Sequence, residues 1–223
     1  MAKKLNLPLP SADDLFSTQK ERDDAKLERV MELPLSEISD FPNHPFKVQL
    51  DEEMQEMSES VKKYGVLVPA LVRPKGDGYE MIAGHRRKMA SELAERGTMP
   101  CIVRNLSDDE ATIVMVDSNL QREKITPMEK AFAYKMKLEA IRRQQGERSD
   151  LTSAPLGQKF DGKTSREILA ENSPDSHSQI QRYIRLTDLI PEVQQMIDEG
   201  KMAMRPAVEI SYLPKEQQES LLG

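Results

Sequence analysis

The sequence predicts an α+β N-terminal domain, a small mixed sheet with helices, followed by an all-α helix-turn-helix domain. Three observations carry that prediction. Up to about residue 122, short apolar runs bounded by Gly and Pro alternate with segments of helical period. From Thr164 onward the pattern is helical, with two capped helix starts a short turn apart. Charged residues make up 31% and aromatics 4% of the 223 residues, with no Trp, a mix that suits small domains with Leu, Ile and Met cores.

Residues 1–29 read as a flexible leader. Pro8, Pro10 and Ser11 interrupt it, and Gln19 to Arg29 is charged with little apolar period. Order is expected to begin near Val30, Leu33 and Leu35, opening a domain over 30–122. Met54, Met57, Val61 and Tyr64 share one helical face, and Gly65 ends that helix. Val66 to Val72 is an apolar run suited to a buried strand, Gly76-Asp77-Gly78 a turn, and Tyr79 to Ala83 a second strand. Gly84 introduces a helix from His85 to about Glu95, stopped by Gly97, and Cys101 to Arg104 is a further short strand. Ser107 with Glu110 forms a capping box. Thr126, Pro127 and Glu129 combine a cap hydroxyl, a proline at the first helical position and a reciprocal carboxylate. They open a connecting basic helix within 123–146. Residues 147–163 read as a linker, and 164–223 as the helix-turn-helix domain.

No stretch has the length and apolarity of a membrane span or signal peptide, so a cytoplasmic protein is expected. The lone Cys101 rules out an intramolecular disulfide framework and a cysteine-cluster metal site. It reads as a small buried hydrophobe. With three scattered histidines, His44, His85 and His177, a catalytic or metal role for any of them is the weaker reading. The net charge of −6 argues against a nonspecific nucleic-acid coat, because phosphate attraction is screened within about 10 Å and must come from a local basic face. One candidate lies between Arg122 and Arg148, where eight basic residues face four acidic ones.

Thr164 with Glu167 and Ser176 with Gln179 form two capping boxes around the turn Ser173-Pro174-Asp175. Projected at 100° per residue, Ile180, Tyr183 and Ile184 share one side of the second helix and would pack on Ile168 and Leu169. Ser178, Gln181, Arg182 and Arg185 share the other. Gln pairs with adenine and Arg with guanine, so that face holds groove-reading chemistry. The DNA-binding candidates are Thr164, Ser176, Ser178, Gln181, Arg182 and Arg185. An ordinary amphipathic helix pair would give a similar pattern. Residues 161–223 carry seven basic against eleven acidic residues, so the face would draw attraction from the basic helix at 127–145 or a second subunit.

Gly84-His85-Arg86-Arg87 sits where a strand gives way to a helix. Free amides at a helix start favour anions, and glycine lets a phosphate approach closely. Two arginines in a first turn oppose the helix dipole, a conflict that an anionic ligand would resolve. Alternatively, both arginines are solvated or paired with acids such as Glu110 or Asp117.

Taken in order, these segments resemble the ParB family of partition proteins over roughly residues 30 to 221. Leu50 to Arg73, with Tyr64-Gly65-Val66 and Pro69, resembles the family's opening core. Ile82-Ala83-Gly84-His85-Arg86-Arg87 is similar to its Gly-Glu-Arg-Arg phosphate motif. Ser118-Asn119-Leu120-Gln121-Arg122, followed by Pro127-Met128-Glu129-Lys130-Ala131, is similar to its Glu-Asn-Leu-Gln-Arg motif and the next helix. The helix-turn-helix and Pro191 to Gly200 continue the likeness. The resemblance implies a ParB/sulfiredoxin-like nucleotide-binding domain joined to a DNA-binding domain. It implies a nucleoid-associated homodimer that loads at a centromere-like site on double-stranded DNA and uses CTP with Mg²⁺ to close into a sliding clamp. By position, Gly84, His85, Arg86 and Arg87 would hold the triphosphate. Ser118 and Asn119 would lie at the metal ion, with Asn119 its ligand, and Gln121 and Arg122 would complete the pocket. Pro42 to Phe46 lies where the nucleobase-side loop is expected, and the leader around Asp13, Asp14, Leu15 and Phe16 where a partition ATPase would dock.

The chain departs from that pattern at identifiable positions. His85 and Ser118 stand where the family has glutamates, so at most weak CTP hydrolysis is expected. Arg205-Pro206-Ala207-Val208 stands at a Gly-His-Ala-Arg segment without its arginine. Family members continue past the position of Gly223 into a dimerisation domain. A transcription regulator or nucleoid-associated adaptor without nucleotide is the alternative. Sulfiredoxin chemistry is disfavoured because Cys101 lies outside the glycine loop, and no acidic cluster resembles a two-metal nuclease.

Overall fold

The sheet of the N-terminal half is built by residues far apart in the chain. A computed structural model describes residues 29–122, 124–150, 164–171 and 173–221, with side chains at 147–150 excepted. The leader up to residue 28, including Asp13 to Phe16, and residues 151–163 lie outside the described residues. The strands are β1 (Val30–Pro34), β2 (Ile38–Ser39), β3 (Ala70–Lys75), β4 (Gly78–Ala83) and β5 (Thr98–Val103). They form one mixed sheet in the order β1-β5-β3-β4-β2. β1 runs antiparallel to β5, β3 antiparallel to β4, and the pairs β3/β5 and β2/β4 are parallel. Leu33, Ala70, Val72, Met81, Met99 and Cys101 form a buried cluster on this sheet.

The strand expected at Val66 to Val72 starts four residues later. Pro69 has no N–H to offer a ladder, and it restricts the residue before it. Val66 to Pro69 is therefore a loop, with Leu67 77% and Val68 64% exposed. β1 and β2 add strand pairing that local pattern did not mark, with a 3₁₀ turn at Leu35–Glu37 between them.

The helices follow local chemistry closely. Helix α1 (Glu52–Tyr64) is capped by Asp51, whose carboxylate accepts from Met54 N at 2.9 Å, and Gly65 (φ 75°) closes it through Val61 O. Its first turn carries Glu52 and Glu53 and its last Lys62 and Lys63, as the helix dipole favours. Helix α2 is His85–Leu93 and α3 is Asp108–Leu120, the latter with both halves of the Ser107/Glu110 capping box. Helix α4 (Pro127–Asp150) starts with Glu129 Oε2 accepting from Thr126 N and Thr126 Oγ1 accepting from Glu129 N. It runs past the end expected near Gln145, into the stretch read as linker.

The remaining helices are α5 (Ser165–Glu171), α6 (His177–Leu186), α7 (Pro191–Asp198), α8 (Met204–Ile210) and α9 (Lys215–Ser220). One continuous apolar core joins α3 and α4 to this set: Val116, Tyr134, Leu138, Leu169, Ile180, Leu186 and Val193 all belong to it. Phe41, Phe46 and Ile82 of the sheet half extend the same core. The helix-turn-helix thus sits on α4, with the carboxylate of Asp198 on α7 accepting from Met128 N at 3.0 Å.

Candidate nucleotide pocket and nucleic-acid interface

At the end of β4, Gly84 adopts φ 121°, a conformation L side chains rarely take. A Cβ there would lie 2.9 Å from the Ala70 Cβ and 3.3 Å from Arg87 Nη2, so the position excludes any side chain. No side chain caps α2, so the helix start is open on its amide side.

The motif residues that follow diverge in role. Arg86 points into a cleft of about 660 Å³, where Arg122 from beyond α3 joins it. Of the eight expected nucleotide residues, these two line the cleft. Burial lowers the Arg122 pKa, and the like charge of Arg86 lowers it further. Two guanidinium groups repelling each other in a cleft favour an anion between them. Lys47 and Lys124 add two more cations to the lining. Arg86 contacts Asp51 at 3.3 Å and Glu53 at 3.5 Å, so its acids come from α1 and its cap. Glu110 and Asp117 are elsewhere, in the α3 capping box and beside Lys137. The other acids of the lining are also engaged: Glu129 Oε1 accepts from Lys47 N at 2.9 Å, and Asp198 holds the α4 start.

Arg87 turns away from the cleft. Its Nη1 donates to the carbonyls of Val68 and Pro69, both at 2.6 Å, fastening the exposed loop before β3. His85 is 7% exposed, its ring centroid 4.0 Å from that of His44. Burial, reinforced by His44, pulls the His85 pKa down to about 3. His44 Nδ1 lies 2.7 Å from Phe46 O, and burial lowers its pKa as well. Both Nε2 atoms are buried without a hydrogen-bond partner. On α3, Ser118 Oγ donates to Met115 O, and the buried Asn119 donates from Nδ2 to the same carbonyl at 2.8 Å. Gln121 is exposed. Arg122 also sits 6.0 Å from the Phe46 ring. Among the described residues no group of three or more His, Cys, Asp or Glu side chains could hold a metal ion. Cys101 is fully buried with its thiol pKa pushed up to about 11 by burial, which keeps it a thiol at neutral pH.

In the second half, Ile180, Tyr183 and Leu186 of α6 are buried, as are Ile168 and Leu169 of α5. Ile184 is half-buried against the same core. Ser176 caps α6, its Oγ accepting from Gln179 N. Ser176, Ser178 and Arg182 are exposed and Gln181 is half-buried, its Nε2 without a partner. Thr164 is exposed and caps α5 reciprocally with Glu167. Arg185 lies at the far end of the same face, but its guanidinium donates to Asp188 at 2.8 Å and Ser211 O at 3.0 Å and lies 4.2 Å from the Tyr212 ring. Its partners lie up to 27 residues away, so the helical projection could not reveal them. The readable face is therefore the N-terminal part of α6: Ser178, Gln181 and Arg182.

The basic helix offers less free charge than its composition indicates. Lys130 pairs with Asp175 at 3.0 Å, Lys137 with Asp117 and Arg143 with Asp109 at 2.7 Å. Lys124 pairs with Glu53 at 3.2 Å. These acids come from other elements, where a local charge count does not see them.

The chain matches the ParB N-terminal domain family over residues 19–120 and the ParB helix-turn-helix domain family over 157–223. The chromosome-partitioning protein Spo0J of Thermus thermophilus is 32% identical over 187 residues, covering 84% of this chain and 61% of that protein. A nucleoid occlusion protein of Listeria monocytogenes is 32% identical over 196 residues, 86% of this chain and 61% of that one. The chain thus spans about three-fifths of the length of these relatives. Among solved structures, the C-terminally truncated chromosome-partitioning protein ParB from Caulobacter crescentus complexed to the centromeric parS site is similar with TM-score 0.52 and 25% identity, over 86% of this chain and 97% of that one.

Proposed function

This chain belongs to the ParB family, and from that premise we propose that it is a sequence-specific DNA-binding partition protein, loading at a centromere-like site and switched by CTP with Mg²⁺. The observation that carries the DNA reading is the face of α6 that shows exposed Ser178 and Arg182 beside half-buried Gln181, backed by buried Ile180, Tyr183 and Leu186. Groove reading needs that combination: donors free on one side of a helix whose other side is fixed. The similarity to the parS-bound Caulobacter protein supports the same reading. As a homodimer, two copies of α6 would meet two half-sites. Docking of a partition ATPase on the leader belongs to the same proposal.

In the nucleotide part, Arg86 and Arg122 would receive the triphosphate, displacing Asp51 and Glu53 from Arg86, while Gly84, packed against Ala70, would set the start of α2. Arg87 would act through the loop it fastens, and Gln121 from the rim. Mg²⁺ would accompany the triphosphate and offset part of its charge; of the side chains expected at it, Ser118 and Asn119, neither lines the cleft, and Asn119 is buried with its amide nitrogen on Met115 O. With His85 and Ser118 in place of carboxylates, the site is a binding switch with at most weak hydrolysis.

Fluorescence anisotropy with a parS duplex and a scrambled duplex tests the DNA half, and calorimetric titration of CTP, ATP and GTP with Mg²⁺ tests the nucleotide half. Selective binding of the parS duplex and of CTP is expected. Equal affinity for both duplexes removes the specific reader. Silence with all three nucleotides favours a second reading, a nucleoid-associated DNA binder or regulator without nucleotide. The replacements at His85 and Ser118 favour the absence of nucleotide in that alternative, and the likeness to a nucleoid occlusion protein its nucleoid association.

A further inference from the structure

We propose that Arg142, Arg166 and His177 form a seat for a DNA backbone phosphate beside the N-terminal end of α6. They come from three helices, α4, α5 and α6, and line one cleft of about 460 Å³ together with Thr164, Ser165 and Glu167. All three side chains are exposed. The charge of the two arginines is available. Lys130, Lys137 and Arg143 on α4 are each ion-paired to an aspartate, whereas among the described residues neither Arg142 nor Arg166 has an ion-pair partner. The single acid of the cleft, Glu167, has its carboxylate on Thr164 N at 2.7 Å and Thr164 Oγ1 at 2.9 Å. Ser165 Oγ donates to Gln145, which braces the end of α4 that carries Arg142 against the start of α5.

Position gives this cluster its partner. His177 is the first residue of α6, one before Ser178 on the readable face. A recognition helix meets base edges with its N-terminal residues, so the strand flanking the groove passes that end. Two guanidinium groups without an ion-pair partner among the described residues, and an imidazole, there fit a phosphodiester, which carries one negative charge and accepts hydrogen bonds without regard to base. Arg142, contributed by α4, and Arg166 add positive charge beside a domain with a surplus of acids. The inference rests on the DNA reading of α6, and goes beyond it in assigning the affinity and the sequence preference to different residues.

The test uses the full chain and anisotropy with the parS duplex and a scrambled duplex of equal length, titrated across salt. Arg142→Gln and Arg166→Gln are each expected to weaken binding several-fold on both duplexes alike and to lower the slope of log affinity against log salt by about 0.9. Arg142→Lys is expected to keep the slope, and Arg182→Ala to lose affinity on the parS duplex alone. Far-ultraviolet dichroism and thermal midpoints of the Gln variants should equal those of the parent, since both side chains are exposed. Unchanged affinity and slope in the two Gln variants, with the Arg182→Ala loss intact, overturn the phosphate seat and leave the reading helix standing. A loss confined to the parS duplex also overturns it, as that is base recognition. No DNA binding by the parent protein at low salt removes both.

Discussion

The Tyr134 hydroxyl donates to the Asp175 carboxylate at 2.6 Å, which fastens the turn between the two helices of the helix-turn-helix to the long helix α4. Lys130 reaches the same oxygen at 3.0 Å and stands 5.4 Å from the Tyr183 ring centroid. One carboxylate in a three-residue turn thereby sets where α6 starts. Asp175→Ala leaves a buried phenol and a half-buried ammonium without their acceptor. It is expected to cost about 1–3 kcal/mol in urea unfolding. DNA affinity should fall while the preference among sequences is kept. A loss below about 0.5 kcal/mol would remove this role.

Tyr134 also imposes an alkaline limit. Burial and the Asp175 carboxylate raise its folded-state pKa above the usual 10. The neutral phenol's contribution is complete below pH 10 and is lost as pH rises beyond it, because the unfolded chain ionises first. The unfolding free energy of Tyr134→Phe should therefore fall less steeply above pH 10 than that of the parent.

His85 imposes an acid limit of opposite sign. Its folded pKa of about 3 lies below the ordinary 6.5, so below pH 6.5 the unfolded chain takes a proton that the folded chain refuses. Stability from the buried neutral ring is present above 6.5 and declines as pH falls from there toward 3, by up to about 1.4 kcal/mol per unit. His85→Gln should flatten that decline relative to the parent in urea melts at pH 7, 6, 5 and 4. Parallel curves would contradict the buried neutral imidazole.

Gly84→Ala combines a disfavoured backbone conformation with a 2.9 Å clash against Ala70. A destabilisation of about 1–3 kcal/mol is expected, with loss of CTP binding by calorimetry. A variant as stable as the parent, with the parent's CTP affinity, would contradict the tight β4–α2 junction.

The capping boxes at Ser107, Thr126 and Thr164 were legible because their partners lie three residues away, and so was the burial of Ile180 and Tyr183. β1 and β2 were not, since their partners β5 and β4 lie about 40 to 70 residues on and only the sheet makes them strands. Charge showed the same divide. The resemblance grouped Gly84, His85, Arg86, Arg87, Ser118, Asn119, Gln121 and Arg122, of which Arg86 and Arg122 line one cleft, but the sequence did not indicate that Arg86 would meet Asp51 and Glu53, or that Arg87 would hold the carbonyls of Val68 and Pro69. The availability of Arg142 and Arg166, and the engagement of Arg185 by Ser211 and Tyr212, likewise depend on which distant residues arrive beside them.

Base reading by α6 is the claim on which the rest depends, and the Arg182→Ala difference between duplexes tests it most directly. Anisotropy should give a loss on the order of 1–3 kcal/mol for the parS duplex and none for the scrambled one. Equal losses on both, or no loss on either, would contradict it.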